Sequence, residues 1–145
     1  MSTHKFAGPI WSLFRIVVGL LFTLNGTGTV FGVLGAAGKS AAPLGQWPGW
    51  WAGLIQVVCG LLVLSGLFTT VAAVVASGSM AYAYFTVHQP QALLPSQNGG
   101  ASAALYCWSF LAIAVIGAGP WSLDALRRRA TAKPAAEPSP APATT

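Results

Sequence analysis

The segment "YFTVHQPQALLPSQNGG", Tyr84 to Gly100, places a histidine one helical turn after a tyrosine and follows both with two prolines and an Asn-Gly-Gly turn. Side chains of these types recognise ligands by hydrogen bonds, and here they stand in a chain with almost no charge. The chemistry open to the rest of the sequence is narrow. Asp124 and Glu137 are the only acids, so paired-carboxylate catalysis has no reagents. His4, His88, Cys59 and Cys107 form no CxxC pattern and no ligand set for zinc or a bis-histidine haem, so no metal site is expected. A nucleophile elbow, a Walker loop and a dinucleotide fingerprint are all missing from the sequence. Any reaction must lean on a partner or a bound cofactor, and whether the chain is itself an enzyme stays open.

The elements that position these groups follow from composition. Charged residues make up 6% of the chain and hydrophobic residues 54%, the balance of a membrane protein. No charge interrupts the chain between Arg15 and Lys39, or between Lys39 and Asp124. Gly- and Pro-containing breakers divide these runs into four helices at about 10–34, 50–66, 68–88 and 101–119. A β-barrel would alternate polar and apolar residues, which "GLIQVVCGLLVLSGLF" does not. The expected fold class is therefore all-α, an integral membrane four-helix bundle over residues 10–124. Residues 1–9 form a short N-terminal segment, and residues 125–145 a basic and then Pro/Ala-rich disordered tail. Gly28, Gly32 and Ala36 on the first helix, with Gly49 and Gly53 entering the second, are candidate seams for close packing.

Basic residues give the orientation. Lys5 and Arg15 flank the start of the first helix, and Arg127, Arg128, Arg129 and Lys133 follow the fourth, which places both termini in the cytoplasm of a multi-pass inner-membrane protein. Trp11 and Trp121 then fall at the inner boundary, and Trp47, Trp50 and Trp51 at the outer one. The net charge of +5 reads as topology and attraction to the lipid bilayer rather than nucleic-acid binding.

Depth along the helices, at about 1.5 Å per residue, brings one polar group from each helix into the outer half of the bundle. Asn25, Thr29, Gln56, Tyr84, His88, Asn98 and Tyr106 are the candidate ligand-binding residues, with the loop that carries His88, Gln97 and Asn98 as a lid over the others. The alternative is that these side chains only join helices. At the inner face Arg15 and Asp124 form a candidate structural pair, unless each finds lipid, a helix end or a neighbouring arginine instead.

The runs "RIVVGLLFTLNGTGTVFG", "WWAGLIQVVCGLLVLSGLFTT", "MAYAYFTVHQPQALLPSQNGG" and "LYCWSFL…GPWSLD" resemble, in order, the helices of the DoxX family of small four-helix bacterial membrane proteins. The resemblance covers about Trp11 to Asp124. It implies a heterogeneous set of functions: some members are similar to the small subunit of a thiosulfate:quinone oxidoreductase, and others accompany redox assemblies and oxidative-stress responses. A quinone is thus the candidate cofactor, and other membrane or redox subunits are the candidate partners. Asn25, Thr29, Gln56, Thr70 and Ala101 stand where the family often carries His, Lys, an acid, Arg and Glu, which removes the charged groups that proton-coupled chemistry would use. The expected function is a membrane subunit of a redox assembly. A non-catalytic anchoring subunit is the alternative, and a small-solute transporter a third class that lacks the expected internal repeats and broken helix pairs.

Overall fold

A computed structural model of the chain describes residues 4–34 and 40–131, and these residues form five helices. Helix α1 runs His4–Phe31, α2 Gly49–Ser65 and α3 Thr69–Ala83, and α3 passes directly into a π-helical turn, Tyr84–His88. Helix α4 follows at Ala101–Ile116 and α5 at Leu123–Thr131. Two ends differ from the sequence expectation for reasons of backbone conformation. Helix α1 stops at Phe31 because Gly32 (φ 67°) and Leu34 (φ 58°) turn left-handed, and α4 stops at Ile116 because Gly117 (φ 93°) and Gly119 (φ 75°) do the same. At its start α1 extends back to His4 and holds Pro9 in its second turn, where the ring withdraws a single N–H from the ladder.

The larger correction is α5. Its nine residues fold as a helix where a tail was expected to begin, because Ser122 accepts the Ala125 N–H at 3.1 Å and so caps the start. Residues 132–145, expected to be disordered, lie outside the described residues.

Two of the helical stretches, Phe6–Phe31 and Thr69–His88, are long and apolar enough to cross a membrane. Helices α2 and α4 are apolar but shorter, at 17 and 16 residues. Helix α1 packs chiefly along α2, and α3 along α4, with smaller contacts between α2 and α3 and between α1 and α4. Phe22, Val63, Ala73, Ala76, Phe110 and Ile113 are fully enclosed where the two pairs meet. There the ring of Phe22 lies edge-on to Phe110, with centroids 4.5 Å apart, and tilts against Tyr106 at 5.1 Å.

The α1–α2 contact is a glycine seam with a seven-residue period on both helices. A methyl group at Gly19 would lie 2.7 Å from the Leu64 nitrogen, and one at Gly26 would lie 2.8 Å from the Gly53 oxygen. From the other side, a methyl at Gly53 would lie 2.8 Å from Val30, and one at Gly60 would lie 2.9 Å from the Thr23 nitrogen. Of the seam residues expected from sequence Gly53 takes part, while Gly32 lies beyond the end of α1, Gly49 faces Ala42 at 3.8 Å, and Ala36 falls outside the described residues. Backbone contact this close is what small residues allow between helices that gain nothing from excluding water.

Gly60→Ala should therefore push α1 and α2 apart at a cost of about 1–3 kcal/mol. Gly78→Ala, where an added methyl meets nothing within 4 Å, should be neutral or stabilising by up to about 1 kcal/mol. Melting of the two variants in the same detergent checks this, and equal melting temperatures would contradict the seam.

Candidate functional site

At the end of the molecule that carries Trp47, Trp50 and Trp51, the polar side chains fall into separate groups. Asn25 Nδ2 donates to Gln56 Oε1 at 3.0 Å and joins α1 to α2, with Asn25 exposed and Gln56 buried. Thr29 donates to the Asn25 carbonyl of its own helix at 3.0 Å. Tyr84, His88 and Asn98 form a second group around the α3–α4 connection. The buried Asn98 donates to the Ala92 carbonyl at 2.8 Å and accepts the Gly100 N–H at 2.8 Å, while His88 Nδ1 lies 3.1 Å from the Asn98 carbonyl. Tyr84 reaches the Leu93 carbonyl at a long 3.5 Å. Gly100 must be glycine, because a methyl there would stand 2.8 Å from His88 Cβ and 2.9 Å from the Tyr84 ring. The Asn-Gly-Gly turn thus clamps the π-helical end of α3 onto the start of α4.

Tyr106 belongs to neither group; it packs on Phe22 and lines a hollow of about 350 Å3 between α1 and α4 with Val18, Leu21 and Leu105. Tyr84 lines a different hollow, about 330 Å3, with Phe85, Pro95, Cys107 and Trp108. The seven residues expected around one chamber are distributed over these places. A groove that the sequence did not suggest lies beside them between α2 and α3, about 300 Å3 and floored by Trp47, Trp51, Ile55, Val75 and Tyr82. The thiols of Cys59 and Cys107 are both free.

The opposite end is organised by Arg15, whose side chain is completely buried. Its Nε donates to the Ala118 carbonyl at 2.8 Å, Nη1 to the carbonyls of Val63 and Leu64 (the latter at 2.7 Å), and Nη2 to the Trp121 carbonyl at 2.5 Å. Helix α2 closes in a left-handed turn at Gly66, with Gly66 N–H on the Val63 carbonyl and Leu67 N–H on the Leu62 carbonyl, and Arg15 covers carbonyls of the same last turn. A cation there also meets the negative end of the helix dipole.

Asp124 serves the next helix. Its carboxylate accepts the N–H of Phe68 at 3.1 Å and both the N–H and the hydroxyl of Thr69 at 3.0 Å, so it caps the start of α3 from outside. Of the two possibilities that the sequence leaves open, a direct Arg15–Asp124 pair or separate partners, the hydrogen bonds are those of two caps, because each charge finds the helix end of opposite polarity within reach. The caps meet at Gly66, whose carbonyl accepts the Asp124 N–H at 2.9 Å and where an added methyl would collide with Ser122 and stand 3.1 Å from the Arg15 guanidinium carbon. Trp11 Nε1 on the Gly117 carbonyl (2.8 Å) and Trp121 N–H on Ser12 Oγ (3.2 Å) tie α1 to the segment after α4. Arg15 and Asp124 stand out in the sequence as charges, but their carbonyl and amide partners do not; the available signal is the glycines at helix ends, Gly66, Gly117 and Gly119.

Burial pushes the Asp124 carboxyl up, but the Thr69 N–H and hydroxyl, the Phe68 N–H and nearby Arg128 outweigh it and hold its pKa below the ordinary carboxylate value. A depressed folded pKa means that the stabilisation is full above the unfolded value, about 3.9, and is lost as pH falls from there through the folded value. Asp124→Ala should lower the melting temperature at pH 7, by the equivalent of about 1 kcal/mol for a lost cap. It should also flatten the decline below pH ~4 relative to wild type. An identical acid slope in both proteins would show that the carboxylate does not hold the cap.

Comparison with known proteins agrees with this architecture. The DoxX family model matches residues 10–89, the stretch from α1 through the π-helical turn. A protein of Haemophilus influenzae described as uncharacterized is 38% identical over 133 residues, covering 85% of this chain and 94% of that protein. No solved structure matches the chain. A family match over more than half of the sequence, on the helices that carry the glycine seam, Arg15 and His88, shows that the chain belongs to the DoxX family of membrane proteins.

Proposed function

We propose that this DoxX protein crosses the bacterial inner membrane four times, with both termini in the cytoplasm, and serves as a membrane subunit of a redox assembly that takes a quinone-class ligand at the Trp-rich end. One observation carries the reading: large apolar side chains are exposed along every one of the first four helices. Leu13 (55%), Leu61 (48%), Val71 (66%) and Val115 (80%) are examples from successive helices. Soluble monomers rarely expose apolar surface on this scale, and a bilayer would cover it. Helices α2 and α4 fall a few ångström short of the hydrocarbon thickness, a mismatch that local bilayer thinning accommodates.

The ligand part is supported by the Asn25–Gln56 pair. Their mutual bond uses one donor and one acceptor, which leaves, among the described residues, Asn25 Oδ1 and the Gln56 Nε2 amide for a quinone or quinol oxygen. The redox part rests on the likeness of family members to a quinone-linked oxidoreductase subunit, with electron transfer assigned to a partner. A second reading, a non-catalytic anchor, is favoured by the way Asn98 and His88 spend their hydrogen bonds on their own loop.

Native purification in mild detergent, with identification of co-purifying proteins and extractable quinone, separates these readings. Near-stoichiometric quinone in wild type and about fivefold weaker retention in Gln56→Leu, at equal yield, is the expected result for loss of one hydrogen bond. A larger complex without quinone selects the anchor, and a lone, ligand-free protein rejects both. In the same strain, reporter fusions should place Ser40 and Ser96 outside and Thr69 inside; a periplasmic C-terminal fusion would overturn the orientation.

A further inference from the structure

The short helix α5 is not accounted for by any ligand at the other end of the molecule. At about 100° per residue, Leu123, Leu126 and Ala130 fall within roughly 60° of arc, with Arg127 on one flank of this stripe and Arg129 on the other. Asp124 and Arg128 lie on the remaining side. Asp124 there caps α3 and so fixes which face of α5 turns toward the molecule. The apolar stripe consequently points away: Leu123 is 43% and Leu126 58% exposed. Neighbouring Trp121 and Phe68 extend the exposed apolar surface, and Arg127 lies 5.2 Å from the centre of the Phe68 ring.

We infer that α5 is an in-plane membrane-surface helix that binds anionic phospholipid, with the leucine stripe at the acyl boundary and the guanidinium groups of Arg127 and Arg129 on lipid phosphates. The inference rests on the membrane reading above and adds to it a lipid class and a site. Four features of the molecule select this occupant. An apolar stripe flanked by arginines is the pattern of an interfacial helix. Charge complementarity favours an anionic surface, because Asp124, the one acid on the helix, is engaged by Phe68 and Thr69 and the remaining charges are three consecutive arginines. The site is also built rather than flexible: the backbone of α5 is pinned by the Asp124 N–H on the Gly66 carbonyl and by the Ser122 cap. A hollow of about 380 Å3 between the stripe and the end of α2, lined by Ser65, Pro120, Trp121, Leu126 and Arg129, gives the first methylenes of a lipid somewhere to lie beside the arginine.

The test uses the full chain, purified in detergent and stripped of lipid, then titrated with phosphatidylglycerol or phosphatidylcholine while bound lipid is counted by native mass spectrometry. Wild type should bind phosphatidylglycerol at least about tenfold more tightly than phosphatidylcholine, and the preference should shrink severalfold as NaCl is raised toward about 0.5 M. The double variant Arg127→Gln/Arg129→Gln should lose the preference, while Arg127→Lys/Arg129→Lys, which keeps the charge, and Lys5→Gln, which removes a charge elsewhere, should retain most of it. Equal wild-type affinity for the two lipids, a preference that survives the double glutamine variant, or an equal loss in Lys5→Gln would overturn the inference. Displacement of phosphatidylglycerol by millimolar inorganic phosphate would do the same and assign the arginines to a soluble anion. Recovery of the protein from cells without detergent would instead sink the membrane reading itself, so the two failures are distinguishable.

Discussion

Every helix end leaves backbone carbonyls or amides without partners, and in an apolar setting water cannot supply them. At one end of this protein α2 finishes, α3 begins and α4 gives way to α5 within a few residues of each other in space, and Arg15 meets the largest part of that demand. A single guanidinium donates to four carbonyls from two separate segments, Val63 and Leu64 on α2, and Ala118 and Trp121 after α4. Lysine has no planar fork with which to reach them together. Asp124 completes the arrangement with the opposite sign at the start of α3. The α2–α3 turn can be short because charges brought from α1 and α5 cap both of its ends.

This node depends on close helix packing, and close packing depends on glycine. Arg15 reaches the end of α2 because Gly19, one turn further along α1, lets the two backbones touch at Leu64. The same seam continues through Gly60 and Gly26 to Gly53, where it delivers Asn25 to Gln56. The Arg15 node at one end and the Asn25–Gln56 bond at the Trp-rich end are thus consequences of one interface. The α3–α4 pair, held by Ser77 on the Cys107 carbonyl and closed by the Asn98 turn, packs against it through Phe22 and Phe110.

Much of this was legible in the sequence, for identifiable reasons. Charge-free runs bounded by glycine and proline located α1 to α4, and the order of small motifs pointed to the DoxX family. Asn25 and Gln56 could be paired because helix rise alone sets their depth. Which glycines form the seam is harder to read, because α1 and α2 each carry several, and choosing among them requires the rotation of one helix against another, which spacing does not encode. Between pairing and separate partners for Arg15 and Asp124 the sequence does not choose, because it shows charges and hides backbone carbonyls and amides. Helix α5 reads as tail because its apolar stripe is only three residues wide and its cap, Ser122, follows a proline and a tryptophan that read as a terminus.

The central claim is that Arg15 holds three separated stretches of chain in one cooperative unit. Amide hydrogen exchange of wild type and Arg15→Lys in detergent, read peptide by peptide, tests it most directly. Exchange should be faster in the substituted protein at the end of α2 with the following turn, at 117–124, and along the first half of α1, all three together, while the Asn98 turn and the start of α4 exchange at the wild-type rate. Acceleration confined to the neighbourhood of residue 15, with the α2–α3 turn unaffected, would contradict it.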